Sequence, residues 1–183
     1  MINPWNFPFW LPFKSAIPPM IMGNSILLKH SPTVPLSAKA IHDAMAEAGF
    51  GKGEFQTVFA DEKQCASILA DRRVRACKFT GSTVGGKAVA VLCAQNMKKG
   101  CFELGGSDPF VVLKDANLER AVDAAYASRM LNAGQVCISA KRFIITAPVY
   151  DEFRDRLLDK IDSTLKIGDP MDPEVNCGPL AIK

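Results

Sequence analysis

Between Ser25 and Leu104 the chain alternates short apolar runs with longer stretches of helical periodicity, and this alternation narrows the fold more than any other feature. Ser25–Lys29, Phe55–Ala60, Val74–Thr80 and Cys101–Leu104 read as strands. Leu36–Ala48, Glu62–Ala70 and Val84–Met97 read as helices; in the first, Leu36, Ala40, Ile41, Ala44, Met45 and Ala48 share one face and Gly49 ends the run. A β-α-β-α-β-α-β series predicts a parallel sheet with crossover helices. Ligands of such sheets bind at the carboxyl ends of the strands. Those ends are Lys29, Thr80-Gly81-Ser82 and Glu103-Leu104-Gly105, and all three carry residues capable of chemistry.

A second unit begins after Gly106. Pro109–Leu113 and Lys141–Thr146 read as strands, and Leu118–Met130 as a helix capped from Asp115 or Asn117. Val149–Leu165 is strongly amphipathic, with Val149, Phe153, Leu157, Ile161 and Leu165 on one face and alternating charges opposite. The tail beyond Gly168-Asp169-Pro170 reads as loop, and His30 and His42 receive no general-base role.

Composition removes several classes of function. A net charge of +3, with no basic cluster among aromatics, argues against nucleic acid. The apolar stretch from Phe7 to Met22 is broken by four prolines and Lys14, so it predicts no membrane helix. Six cysteines, with no CxxC pair, no zinc-like spacing to the two histidines and no secretory signal, read as reduced thiols of a cytoplasmic protein. No metal site is expected. The 183 residues can bury one core, or one domain and part of another. The first motif follows Met1 within a few residues and the chain stops at Lys183 in mid-loop, so neither end reads as a domain boundary.

Four stretches are candidates for a site. In Asn132-Ala133-Gly134-Gln135-Val136-Cys137-Ile138-Ser139 a cysteine follows an Asn-x-Gly-Gln turn, which can present a thiol at the floor of a cleft. Glu103, 34 residues upstream, ends an apolar strand at paired glycines. A thiol and a carboxylate able to deprotonate it, or a water, suffice for covalent chemistry on a carbonyl; an ordinary packing cysteine and an unrelated glutamate is the plainer alternative. Pro4-Trp5-Asn6-Phe7-Pro8 is stiffened by its prolines, and either aims the Asn6 amide or simply packs Trp5 and Phe7. Phe79-Thr80-Gly81-Ser82-Thr83-Val84-Gly85-Gly86 passes from strand through a glycine turn into a helix. It can hold a phosphate on backbone N–H groups, or be no more than a helix capped by Ser82 or Thr83; it has neither GxGxxG nor GK[ST] spacing.

Taken together in order and spacing, Pro4-Trp5-Asn6-Phe7-Pro8, Lys29, Phe79-Thr80-Gly81-Ser82 with Gly86, Glu103-Leu104-Gly105-Gly106 and Gly134-Gln135-Val136-Cys137 resemble the NAD(P)-dependent aldehyde dehydrogenases over essentially the whole chain. Leu28-Lys29-His30 and Glu103–Phe110 look most like the bacterial-type succinate-semialdehyde dehydrogenase branch. The resemblance implies an α/β fold: a Rossmann-like parallel sheet in residues 1–105, part of an NAD(P)-binding domain, followed in 106–183 by the first part of an α/β catalytic domain that carries the nucleophile. It implies that Cys137 attacks an aldehyde, succinate semialdehyde among the candidates, to give a thiohemiacetal and then a thioester. The Asn6 amide and the Cys137 N–H would hold the oxyanion, and Glu103 would activate the hydrolytic water. Lys29 would bond the adenosine ribose, Thr80, Gly81, Ser82 and Gly86 would hold the pyrophosphate, and Pro4, Trp5 and Leu104 would line the nicotinamide path.

The departures from the family pattern concern cofactor and substrate. Where many NAD-preferring members have a glutamate three residues after the lysine, this chain has Pro32; without that carboxylate a 2′-phosphate is not repelled, Ser31 can assist it, and NADP joins NAD as a candidate cofactor. Leu131 stands where one branch has a carboxylate-binding arginine, leaving Lys14 as the candidate cation for the substrate's distal carboxylate. Family members are more than twice this length and are homo-oligomers; the resemblance places their oligomerisation strand beyond Lys183. The rival expectation is a silent, truncated remnant that serves as a nucleotide-binding or subunit-interaction module.

Overall fold

A computed structural model describes residues 1–181. The chain divides into two compact units, Met1–Gly105 and a second beginning at Gly106. The class is α/β, and every strand pair is parallel.

The first unit runs α1 (Trp10–Ile21), β1 (Ile26–Lys29), α2 (Pro35–Glu47), β2 (Phe55–Val58), α3 (Glu62–Ala70), β3 (Ala76–Thr80), α4 (Thr83–Gln95) and β4 (Lys99–Glu103). β1 pairs with β2 from Ile26 opposite Phe55 to Lys29 opposite Val58, and β3 with β4 from Ala76 opposite Lys99 to Thr80 opposite Glu103. The two pairs are joined by the first three residues. The Ile2 N–H bonds the Lys78 carbonyl at 2.8 Å and its carbonyl accepts from Thr80 N–H at 2.9 Å. Asn3 N–H donates to the Lys29 carbonyl at 3.1 Å, and Lys29 N–H to that of Met1 at 2.9 Å. Across the sheet the order is β2, β1, Met1–Asn3, β3, β4. This central segment is too short to show any alternation of its own, so the strand pattern legible in the sequence begins only at Ser25.

Two helices pack on each strand pair. Leu28, Ile41, Met45 and Phe55 form one cluster with Ala16 of α1; Leu69, Cys77, Phe79, Val89 and Cys93 form the other. Leu28 is fully buried at 0% exposure. Truncating it leaves a hole beside the strand that ends in Lys29, and Leu28→Ala should lower stability by about 2–5 kcal/mol, read as a shifted urea midpoint. An unchanged midpoint would show that this cluster does not hold the sheet.

α1 is the main element the sequence did not announce. Pro12 falls in the first turn, where no intrahelical N–H bond is needed, whereas Pro18 and Pro19 lie inside the helix and each leaves out one backbone bond to the preceding turn. At 12 residues it is short, and no helix among the described residues is long and apolar enough to cross a membrane. Other boundaries moved by a residue or two. β3 starts at Ala76 rather than Val74, and α4 stops at Gln95 because Met97 adopts a left-handed φ of 53°.

The second unit runs β5 (Asp108–Val112), α5 (Leu118–Met130), β6 (Ala140–Ile145) and α6 (Tyr150–Thr164), with short 3-10 turns at Leu131–Gly134 and Ala147–Val149. The cap of α5 is Asn117, whose side-chain oxygen accepts from Arg120 N–H at 3.0 Å. Val112, Val122, Ala125 and Phe153 form its core. The tail is not wholly irregular: Ile167 and Cys177 form an isolated parallel bridge.

Candidate active site

Because Met1–Asn3, β1, β3 and β4 are parallel, their carboxyl ends lie along one edge of the sheet in the first unit. That edge gathers Pro4, Trp5 and Asn6 after the central segment, Lys29 and Ser31 after β1, Thr80, Gly81 and Ser82 after β3, and Glu103 and Leu104 after β4. Asn6 is half-buried in the bend leading to α1, and Glu103 is exposed. The Glu103 carbonyl accepts from Gly81 N–H at 3.0 Å, so the glycine turn and the end of β4 are tied together.

The plainer alternative for the glycine turn, a capped helix start, is visible in its geometry. Ser82 is the N-cap of α4, its Oγ accepting from Gly85 N–H at 3.1 Å, and the first turn of the helix carries no acidic residue. Gly86 is buried against the Leu104 side chain, and a Cβ there would have to displace a Leu104 methyl. Thr80 is buried and its hydroxyl has no partner among the described residues. Ser31 Oγ lies 2.8 Å from Thr33 Oγ1, so the hydroxyl expected at Ser31 has a second one beside it. Lys14 lies on α1, exposed, with its ammonium 4.6 Å from the centre of the Trp10 ring.

His30, set aside as a catalyst from the sequence, is a brace in this edge. It is 5% exposed. Its Nδ1 accepts from Ser31 N–H at 2.8 Å, which leaves Nε2 to donate to the Pro8 carbonyl, also at 2.8 Å. It therefore ties the end of β1 to the turn that carries Asn6, and only the neutral ring can do so. Burial, opposed by the Pro8 bond and reinforced by Lys29, lowers its pKa below the ordinary 6.5. The unfolded chain then takes up the proton near pH 6.5, while the folded one takes it up only at lower pH. Stability from this group is complete above 6.5 and is lost as pH falls toward the depressed folded value. We expect the thermal midpoint to fall faster below pH 6.5 in the protein than in His30→Gln; parallel curves would refute the brace.

The second unit carries Cys137. Of the six thiols, Cys77 and Cys93 are buried, and burial pushes Cys77 up to about 11 and Cys65 upward as well, marking packing cysteines. Cys137 is exposed. It follows three consecutive left-handed residues, Asn132 (φ 52°), Ala133 (φ 54°) and Gly134 (φ 75°). An alanine in this region costs roughly 1–2 kcal/mol, and such backbone strain persists only where its surroundings hold it. Arg129 supplies part of that hold, donating to the Gly134 carbonyl at 2.5 Å and to Ala140 at 2.9 Å. Gln135 ties the turn to the tail, its side-chain amide donating to Asn132 O and accepting from Ala181 N–H, both at 3.1 Å. Lys141 reaches back to the carbonyls of Val136 (3.3 Å) and Cys137 (2.8 Å). These two cations were not legible in the sequence, since they act on backbone carbonyls that no motif records. Among the described residues no cluster of His, Cys, Asp and Glu is arranged to hold a metal.

The model of the aldehyde dehydrogenase family matches residues 1–183. The chain belongs to the aldehyde dehydrogenase family. A probable NADP(+) succinate-semialdehyde dehydrogenase of Synechocystis is 47% identical over 98% of this aldehyde dehydrogenase chain and 39% of its own length. The corresponding enzyme of Mycobacterium ulcerans is 44% identical over the same shares. The crystal structure of succinic semialdehyde dehydrogenase from Streptococcus pyogenes, in complex with NADP+, superposes with a TM-score of 0.94 at 40% identity, covering 99% of this chain and 40% of the other. The chain thus spans about two fifths of the length of the relatives it matches.

Proposed function

We propose that the protein oxidises an aldehyde to the carboxylic acid with a nicotinamide dinucleotide. The carrying observation is Cys137, an exposed thiol at the end of a strained left-handed turn, whose N–H makes no hydrogen bond among the described residues. The thiolate forms the bond to the aldehyde carbon, and the carbonyl oxygen becomes an oxyanion. Cys137 N–H and the Asn6 amide donate to that oxygen, an effect worth roughly 3–4 kcal/mol per donor in acyl-transfer sites. After oxidation the carbon is a thioester on Cys137. Glu103 accepts a proton from the water that cleaves it, releasing the acid and restoring the thiol.

The carboxyl edge of the first unit suits the cofactor. The N-terminus of α4, free of acidic residues in its first turn, favours a diphosphate. Lys29 is assigned the adenosine ribose, Thr80, Gly81, Ser82 and Gly86 the diphosphate, and Pro4, Trp5 and Leu104 the nicotinamide path. Pro32 offers no carboxylate, and the Ser31 and Thr33 hydroxyls offer donors, which supports NADP as the preferred cofactor. When bound, the nicotinamide accepts the hydride that leaves the carbon. By this reading residues 1–105 are part of an NAD(P)-binding domain and residues from 106 part of a catalytic one.

Succinate semialdehyde is the proposed substrate, by likeness to the relatives. Lys14, which forms no ion pair among the described residues, is the proposed cation for its distal carboxylate. The purified protein should reduce NADP at 340 nm in the presence of this aldehyde. Cofactor binding without reduction would favour the silent module instead.

A further inference from the structure

We infer that Lys141 is a positioning residue for the nucleophile, setting the direction and donor strength of the Cys137 N–H. The inference rests on the reading of Cys137 as a nucleophile that needs an oxyanion donor. The two peptide units flanking Cys137 run from the Val136 carbonyl to the Cys137 N–H, and from the Cys137 carbonyl to the Ile138 N–H. In a planar trans peptide the carbonyl and the N–H point in opposite directions. Lys141 Nζ donates to the Val136 carbonyl at 3.3 Å and to the Cys137 carbonyl at 2.8 Å. The Cys137 and Ile138 N–H groups are thereby turned away from the ammonium, and neither has a hydrogen-bond partner among the described residues.

A cation on a carbonyl oxygen also draws electron density along the amide, and its N–H becomes a stronger donor. Arg129 holds the two ends of the same loop through Gly134 O and Ala140 O. Between them the two side chains engage the carbonyls of residues 134, 136, 137 and 140, which leaves N–H groups rather than carbonyls to meet an anion at the sulfur.

Two electrophiles separate donor strength from thiol reactivity. With 4-nitrophenyl acetate the sulfur bonds the ester carbon, an oxyanion forms, and its collapse expels 4-nitrophenolate, leaving an acetyl thioester; the thiol proton goes to buffer. With iodoacetamide the sulfur displaces iodide and no oxyanion arises. Neither reaction needs the cofactor, and peptide mass spectrometry reports each at Cys137 alone. Lys141→Met should slow acetylation about tenfold, a weakened donor costing less than a deleted one, with alkylation held within about twofold; Lys141→Arg should restore most of the acetylation rate. Unchanged acetylation, or acetylation and alkylation falling together, overturns the inference while the nucleophile reading stands. A Cys137 that reacts with neither reagent in the unsubstituted protein overturns both.

Discussion

Cys137→Ala is expected to abolish aldehyde oxidation, with kcat falling on the order of ten-thousand-fold or more, the scale on which removal of a covalent nucleophile acts. The same substitution should leave the fold nearly untouched. The side chain is exposed, and the strained turn is held by Arg129, Gln135 and Lys141 rather than by the sulfur. Surface changes of this kind shift stability by about 0.5 kcal/mol or less. Steady-state reduction at 340 nm, alongside a urea midpoint, checks both halves. Residual turnover within tenfold of the unsubstituted protein would remove Cys137 from the mechanism, and Cys101, the other exposed thiol, would become the candidate.

Glu103→Gln should act later in the cycle and leave a different mark. If Glu103 takes the proton of the hydrolytic water, its amide blocks release of the thioester but not its formation. Rapid mixing should then show a burst of reduced cofactor, one equivalent per active protein, followed by a steady rate lower by about a hundred- to a thousandfold. A lost burst would assign the glutamate to thiol activation instead, and an unchanged steady rate would leave it without a role. Glu103 ends β4 directly opposite Thr80, and its backbone carbonyl is bonded to Gly81. The isosteric amide preserves that backbone register, so the effect reads the carboxylate.

Much of this molecule was legible from residues alone, for identifiable reasons. α5 shows itself because Asn117 caps it and its apolar positions keep helical period, and the predicted span matches the observed one. The parallel sheet is legible because helices of about a dozen residues separate the strands, a length that a hairpin cannot accommodate. The Cys137 turn is legible because Asn and Gly tolerate left-handed backbone; that Ala133 joins them is not, since nothing about alanine announces a positive φ. His30 escaped because its role lies in two backbone partners, Pro8 and Ser31, the first far along the chain. α1 escaped because four prolines between Phe7 and Met22 read as a break, whereas the helix carries two of them, Pro18 and Pro19, inside its C-terminal half and forgoes the backbone bonds their missing N–H groups would make.

The short central segment of the first sheet has a consequence for the chemistry. Among the described residues, Met1–Asn3 alone has backbone bonds to both β1 and β3. Lys29 stands on one bank of this seam, Thr80 and Glu103 on the other, and Asn6 lies three residues beyond it. The distance between the proposed ribose ligand and the proposed base is thus governed by a single run of three residues. Slippage there would move both banks at once, so alignment within this edge is inherited from one short stretch of main chain rather than averaged over a broad sheet.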